Sequence, residues 1–136
     1  LLCSAYEDVS LGNPNIGPRV YAATQAALSL GLPEARLPLA HAVIDLATSP
    51  KSNSTYKAIN EAISDLDSMT SMAIPKNILN KEIKGGATYL YPHDYKNSYV
   101  KQQYLPDNVK NAKIYFPRDN KNEKLLKDVM DKLSEY

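Results

Sequence analysis

The chain has 136 residues, a net charge of +1, 43% hydrophobic residues, a single cysteine and no tryptophan. That length suffices for one core without disulfides or metals, and the near-zero charge selects neither nucleic acid nor an acidic partner. Cys3 has no internal disulfide partner, which points to a reducing, cytoplasmic compartment, and no stretch reaches the roughly 18 continuous apolar residues of a membrane span.

The chain begins Leu-Leu-Cys, without a basic segment ahead of an apolar run. It therefore reads as starting inside a longer protein rather than at a signal peptide. Residues 1–11 form a short helical candidate with Leu2, Ala5, Tyr6 and Val9 on one face. Asn13-Pro14 marks a break followed by a helix start, with Asn as cap and Pro at the first helical position. That helix extends to Leu30, with Gly17-Pro18 as a kink or a later start. Val20, Ala23, Ala27 and Leu30 form its inward stripe, and Gly31 is placed to cap its end. Pro33 to Arg36 opens a further turn, and Pro38 predicts a bend or restart. Residues 39–48 then face inward through Leu39, Ala42, Val43 and Leu46. After Ser49-Pro50, one of Ser52, Asn53 or Ser54 caps a helix through residue 67, with the stripe Tyr56, Ile59, Ala62, Ile63 and Leu66.

Near residue 70 the character changes. Residues 75–79 suit one helical turn. Residues 87–118 carry Pro92, Pro106, Pro117 and six Tyr, which reads as an ordered but irregular arm rather than disorder. Residues 120–135 are an amphipathic helix with Leu125, Leu126, Val129, Met130 and Leu133 on one side. The fold class is therefore mostly α: a helical array, an irregular Tyr/Pro-rich arm and a C-terminal amphipathic helix. Residues 81–118 hold seven Lys/Arg against three Asp/Glu, making the arm the one basic segment.

Catalytic signals are weak. No phosphate-binding loop is present. Cys3, His41 and His93 lack the paired spacing of a zinc site. Cys3 reads best as a small buried hydrophobe and His41 as a histidine satisfied between helices. Glu7 and Asp8 are adjacent, so on a helix they do not face one another; pairing of one of them with Arg19 or Arg36 is expected. The arm has three readings. Its Tyr rings pack it onto the helices, or form a protein interface, or stack single-stranded bases while Lys84, Lys96, Lys101, Lys110 and Lys113 hold phosphates.

Several motifs carry a family resemblance. Residues 4–20 read Ser-Ala-Tyr-Glu-Asp-Val-Ser-Leu-Gly-Asn-Pro-Asn-Ile-Gly-Pro-Arg-Val, residues 32–40 Leu-Pro-Glu-Ala-Arg-Leu-Pro-Leu-Ala, and residues 47–54 Ala-Thr-Ser-Pro-Lys-Ser-Asn-Ser. Tyr-Pro-His-Asp-Tyr and Tyr-Val-Lys-Gln-Gln-Tyr-Leu-Pro follow at residues 91–95 and 99–106. In this order they resemble the C-terminal region of the replication-associated recombination AAA+ ATPases, the bacterial RarA/MgsA proteins related to the Werner-helicase-interacting protein. The resemblance implies a clamp-loader-collar-like helical fold, a single C-terminal oligomerisation domain over residues 1–136, and tetramers. Residues 1–10 would be the end of the lid, 81–118 the arm and 119–136 a terminal helix. It further implies a parent ATPase acting on DNA at stalled forks, cytoplasmic and nucleoid-associated, with single-stranded-DNA-binding protein as a partner and no membrane. Catalytic, cofactor and metal residues are expected to be absent from this chain, with ATP and Mg held by the parent protein. Arg19, Arg36, Lys51, Tyr95 and Tyr104 are the expected interface or structural residues. The resemblance covers residues 2–117; the loop at residues 80–90 is short for the family, and the tail after Pro117 has no recognised counterpart.

Overall fold

The computed structural model describes residues 1–67, 73–79 and 89–135. Helix α1 (Leu2–Ser4) continues into a wider π turn, Ala5–Val9, and a tight 3-10 turn, Ser10–Gly12. Three longer helices follow, α2 (Ile16–Leu30), α3 (Arg36–Thr48) and α4 (Ser54–Asp67), and α5 (Lys121–Ser134) closes the chain. Among the described residues there is no strand, as the helical periodicity predicts.

The N-terminal segment changes winding where it meets its neighbours. Ala5 and Val9, four residues apart, are both fully buried, whereas Tyr6 of the same expected stripe is mostly exposed. Ser10 takes a positive φ of 42°, and its hydroxyl lies 2.6 Å from that of Thr55 on α4. Two residues on, a Cβ added at Gly12 would sit 2.2 Å from the Pro50 carbonyl oxygen. Only glycine lets these two backbones approach so closely.

Helix α2 starts at Ile16 rather than at Asn13-Pro14. Pro18 is its third residue, where the missing N–H has no intrahelical acceptor in any case, so it neither kinks nor delays the helix further. Gly17 gives room to the Tyr6 ring, whose Cζ would be 2.4 Å from a Cβ there. At the far end Gly31, at φ 69° and ψ 176°, a backbone conformation suited to glycine, donates its N–H to Ala27 O at 3.1 Å and ends the helix where expected. The same first-turn argument explains why α3 passes through Pro38 without the expected restart.

Helices α2 and α3 pack as a hairpin. The core comprises Ala5, Val9, Ile16, Val20, Ala42 and Leu46, with Ala23 packed against it. It is small, because the stripes read from periodicity are only partly covered. Leu30 on α2 and Val43 on α3 are at least half exposed. Helix α4 begins at Ser54, within the range of caps expected, and is helical to Asp67, the last described residue there; Tyr56, Ile59, Ile63 and Leu66 remain about half exposed.

The expected turn within residues 75–79 forms at Lys76–Ile78, and the arm is irregular, as expected, with 3-10 turns at Pro92–Asp94, Lys96–Ser98 and Asp107–Val109. The Gln102 side-chain amide holds it together. Its Nε2 donates to Leu90 O at 2.6 Å and its Oε1 accepts from Leu90 N–H at 3.2 Å. One side chain thus pairs with both backbone groups of Leu90, substituting for a strand partner. Among the described residues no helix is long and apolar enough to cross a membrane.

Candidate interaction site

The C-terminal helix is fastened by a buried carboxylate. Asn120 caps α5: its Oδ1 accepts the Glu123 N–H at 3.0 Å, and its Nδ2 donates to Glu123 Oε1 at 2.9 Å, a reciprocal cap. Glu123 is fully buried. Its carboxylate also accepts from Tyr115 OH at 2.9 Å, from Arg118 N–H at 2.8 Å and from the Ser52 hydroxyl. Burial opposes its charge, but the bonds from Ser52, the Arg118 N–H and Asn120 outweigh it and hold the carboxyl down at about 2. The positive end of the helix dipole adds in the same direction. Burial, then the bond to the Glu123 anion, pushes the Tyr115 phenol up to about 12. Around this node, Arg118 Nη2 donates to Asn53 Oδ1 at 2.8 Å, and Asn122 Nδ2 donates to Gly12 O at 2.8 Å. Ser52 N–H donates to Asp8 O at 2.8 Å. Helix α5, the end of the arm, the start of α4 and the N-terminal segment therefore meet at Glu123. From sequence, Ser52 and Asn53 stand out only as cap candidates for α4 and Asp8 only as an ion-pair candidate; Glu123 does not stand out, although Asn120 and Glu123 have the spacing of a capping pair.

The residues expected at an interface occupy separate places. Arg19 Nε lies 2.9 Å from Asp45 Oδ2 across the α2–α3 hairpin. It thus pairs with Asp45, not with Glu7 or Asp8 as expected. Lys51 Nζ donates to Leu46 O, placing a cation at the C-terminal turn of α3 where free carbonyls favour it. Arg36 is exposed at the start of α3. Tyr104 OH accepts from Gln102 Nε2 at 2.9 Å, and Tyr95 is exposed. Lys96, Lys101, Lys110 and Lys113 are exposed, and Lys84 lies outside the described residues. Lys110 and Lys113 line a cleft that also holds Glu61, Asp65 and Asp107, so carboxylates oppose their charge.

Two further expectations are corrected. His41 is exposed, not held between helices, because the hairpin contact runs through Ala42, about 100° away on α3. Cys3 is exposed rather than buried, with Sγ 3.2 Å from Glu7 Oε2. The Glu7 bond and charge raise the thiol above its ordinary value, which disfavours the thiolate a nucleophile needs. Among the described residues no group of three His, Cys, Asp or Glu side chains is placed to hold a metal ion.

What the surface does offer is apolar. Leu28, Leu32 and Leu37 at the hairpin tip are 78%, 85% and 65% exposed. Tyr56, Ile59 and Ile63 line α4, and Leu125 and Val129 line α5, all about half exposed or more. Apolar faces on this scale in a chain of 15.1 kDa mark surfaces built to be covered.

Among the described residues the chain is a helical array with apolar faces left exposed, and its sequence places it in a family. The chain belongs to the MgsA AAA+ ATPase C-terminal family, whose model matches residues 1–134. That match takes in α5, correcting the expectation that the tail after Pro117 lies outside the family pattern. The chain is 49% identical over 98% of its length to replication-associated recombination protein A of Bacillus subtilis. It is 31% identical over 85% of its length to the protein of that name from Escherichia coli K12, and 30% identical over 82% to ATPase WRNIP1 of Dictyostelium discoideum. It spans 33%, 28% and 14% of those relatives, respectively.

Proposed function

We propose that the chain is the homo-oligomerisation domain, forming tetramers, of a DNA-dependent AAA+ ATPase acting in replication-fork maintenance and recombination. The observation that carries this reading is the set of uncovered apolar faces on α2 to α5, beside a core cluster of six buried side chains among the described residues. In water such faces are driven together roughly in proportion to the apolar area they remove. Residues 1–136 act as one C-terminal unit in this reading, with residues 1–10 continuing from the lid. The nucleotide site, with its ATP and Mg, belongs to a module outside these residues, and the raised Cys3 thiol fits a chain without catalytic duty. DNA and single-stranded-DNA-binding protein are partners of the parent, in the cytoplasm and at the nucleoid. Light scattering across a chromatographic peak tests the reading. A tetramer at tens of micromolar is expected; a strict monomer overturns it.

A second reading, a single-stranded nucleic-acid module, draws on one observation. Tyr91, Tyr95 and Tyr104 are exposed on the same segment as Lys96 and Lys101. Exposed rings beside cations suit base stacking with phosphate contact. The carboxylates beside Lys110 and Lys113 weaken it at the other end of the arm. Binding of a labelled single-stranded oligonucleotide that falls steeply with salt would support this reading; no binding at low salt removes it.

A further inference from the structure

We propose that Tyr89, Tyr91, His93 and Tyr104 form one base-stacking platform for single-stranded nucleic acid, set in place by Gln102. The proposal rests on the second reading above and names the site that carries it. Four rings from two stretches of the arm converge. The Tyr91 and His93 ring centroids lie 5.1 Å apart with planes tilted by 56°, so the two rings do not cover each other face to face. Gln102 Nε2 donates to Tyr104 OH at 2.9 Å as well as to Leu90 O, which ties Tyr104 to the residue between Tyr89 and Tyr91. Tyr89 adjoins both neighbours: desolvation, then the charge and hydrogen bond of Tyr104, and last the charge of Tyr91, raise its phenol above the ordinary value. Tyr89, Tyr91 and Tyr104 are nonetheless 41%, 54% and 48% exposed, and His93 is exposed.

The rings are organised by hydrogen bonds. Gln102 is partly buried and bonded to both backbone groups of Leu90, and the Gln103 carbonyl accepts from Asn77 Nδ2 at 2.9 Å. The aliphatic residues of the same stretch turn the other way: Leu105 and Pro106 line a cavity with Ala62 and Leu66 of α4. Aliphatic contacts thus seat the arm on the helix and leave ring surface for a partner. The chemistry of that partner follows from the rings and their company. A flat π face accepts any base, and a ring already held by hydrogen bonds loses little freedom when a base stacks on it. Gln102 and the exposed Lys96 and Lys101 accompany the rings. Between residues 89 and 106 these two lysines stand against Asp94 alone, so stacking supplies the larger part of the binding and the lysines the phosphate contacts. An apolar peptide would need aliphatic side chains continuing from the rings, and Leu105 and Pro106 face α4 instead.

The experiment measures fluorescence anisotropy of a labelled oligo(dT) with the full chain at low salt. Tyr91→Ala with Tyr104→Ala should weaken binding about tenfold or more, the loss expected when two stacked bases lose their rings. Tyr91→Phe with Tyr104→Phe keeps the faces and should bind within about threefold of the unaltered chain. Gln102→Ala leaves every ring in place and should still weaken binding about threefold or more. Lys101→Gln should lower the slope of log affinity against log salt by about 0.7, one phosphate contact. Far-UV circular dichroism checks that each variant stays folded. If the unaltered chain binds and the double alanine variant matches it, the platform is excluded while the nucleic-acid reading stands. Equal loss in the phenylalanine and alanine pairs would assign binding to the hydroxyls and overturn stacking. A Gln102→Ala variant that binds like the unaltered chain removes the role given to Gln102. No binding by the unaltered chain, or binding of a labelled proline-rich peptide in place of the oligonucleotide, removes both the platform and the reading beneath it.

Discussion

The α2–α3 hairpin and the α5 region are held by opposite means. Around the hairpin, Ala5, Val9, Ile16, Val20, Ala42 and Leu46 exclude water from a small apolar centre. At α5 a single carboxylate, fully buried and multiply hydrogen-bonded, does the fastening. Apolar burial is graded and tolerates repacking. A buried anion has one good geometry and loses heavily outside it. The difference teaches why α5 can keep its apolar stripe uncovered: its position is set at its first turn by directional bonds, so the stripe is left free for another surface.

Glu123→Leu should break this comparison most sharply. It leaves Tyr115 OH, the Ser52 hydroxyl and the Arg118 N–H without their acceptor, at a cost of about 4 kcal/mol in urea unfolding. Hydrogen exchange should show α5 and the Arg118 region losing protection first, with α2 and α3 retaining theirs. Equal loss everywhere would mean that the node and the core are one cooperative unit. Gly12→Ala comes next. Its Cβ would press on the Pro50 carbonyl oxygen, and because both groups are backbone the neighbour cannot swing away; about 2–3 kcal/mol is expected. Ile16→Val, removing one methylene from the apolar centre, should cost about 1 kcal/mol by the same measurement.

pH separates the two regions without mutation. Glu123 is held at about 2 against an ordinary 4.5. A carboxyl depressed on folding contributes stability in full above its unfolded value and loses it as pH falls toward the folded one. Stability should therefore drop between about pH 5 and pH 2, by ~2–3 kcal/mol. Tyr115, pushed up to about 12 from 10, has the reverse sign: its contribution is full below pH 10 and is lost as pH rises toward 12. Glu123→Gln should flatten the acid slope, and Tyr115→Phe the alkaline one, the latter at about 1 kcal/mol near neutral pH for the lost bond. The apolar centre contains no titrating group and adds to neither slope, so an acid slope unchanged in Glu123→Gln would contradict the assignment.

How much of this is legible in the sequence follows the same division. The start of α4, the bounds of α5 and the helix end at Gly31 follow from helical periodicity and glycine chemistry. Pro18 and Pro38 mislead because proline breaks a helix only where an acceptor or a preceding turn exists, and both sit in first turns. Periodicity also finds the stripes of Ile59 and Val129 but not what covers them, since an amphipathic face looks the same whether its partner is in the chain or outside it. His41 and Ala42 are neighbours on one helix, and only packing decides that Ala42 faces α2. The node is half legible. Asn120 and Glu123 announce a cap locally, but Ser52 is 71 residues from Glu123, and no local pattern brings them together.

The smallest effect tests whether any surface charge belongs to the hairpin's adhesive. Arg19 and Asp45 bridge α2 and α3 at 2.9 Å, but the arginine is 51% exposed. Water screens the pair and the side chain gives up rotamer freedom to form it, so Arg19→Ala should cost only about 0.5 kcal/mol. High salt should erase most of that difference. The same salt should leave the Glu123→Leu penalty nearly intact, since its bonds are buried. A salt-sensitive Glu123 effect would place the node closer to solvent than its geometry allows. A salt-insensitive loss of 2 kcal/mol at Arg19 would instead move the ion pair from the surface into the set of contacts that define the hairpin.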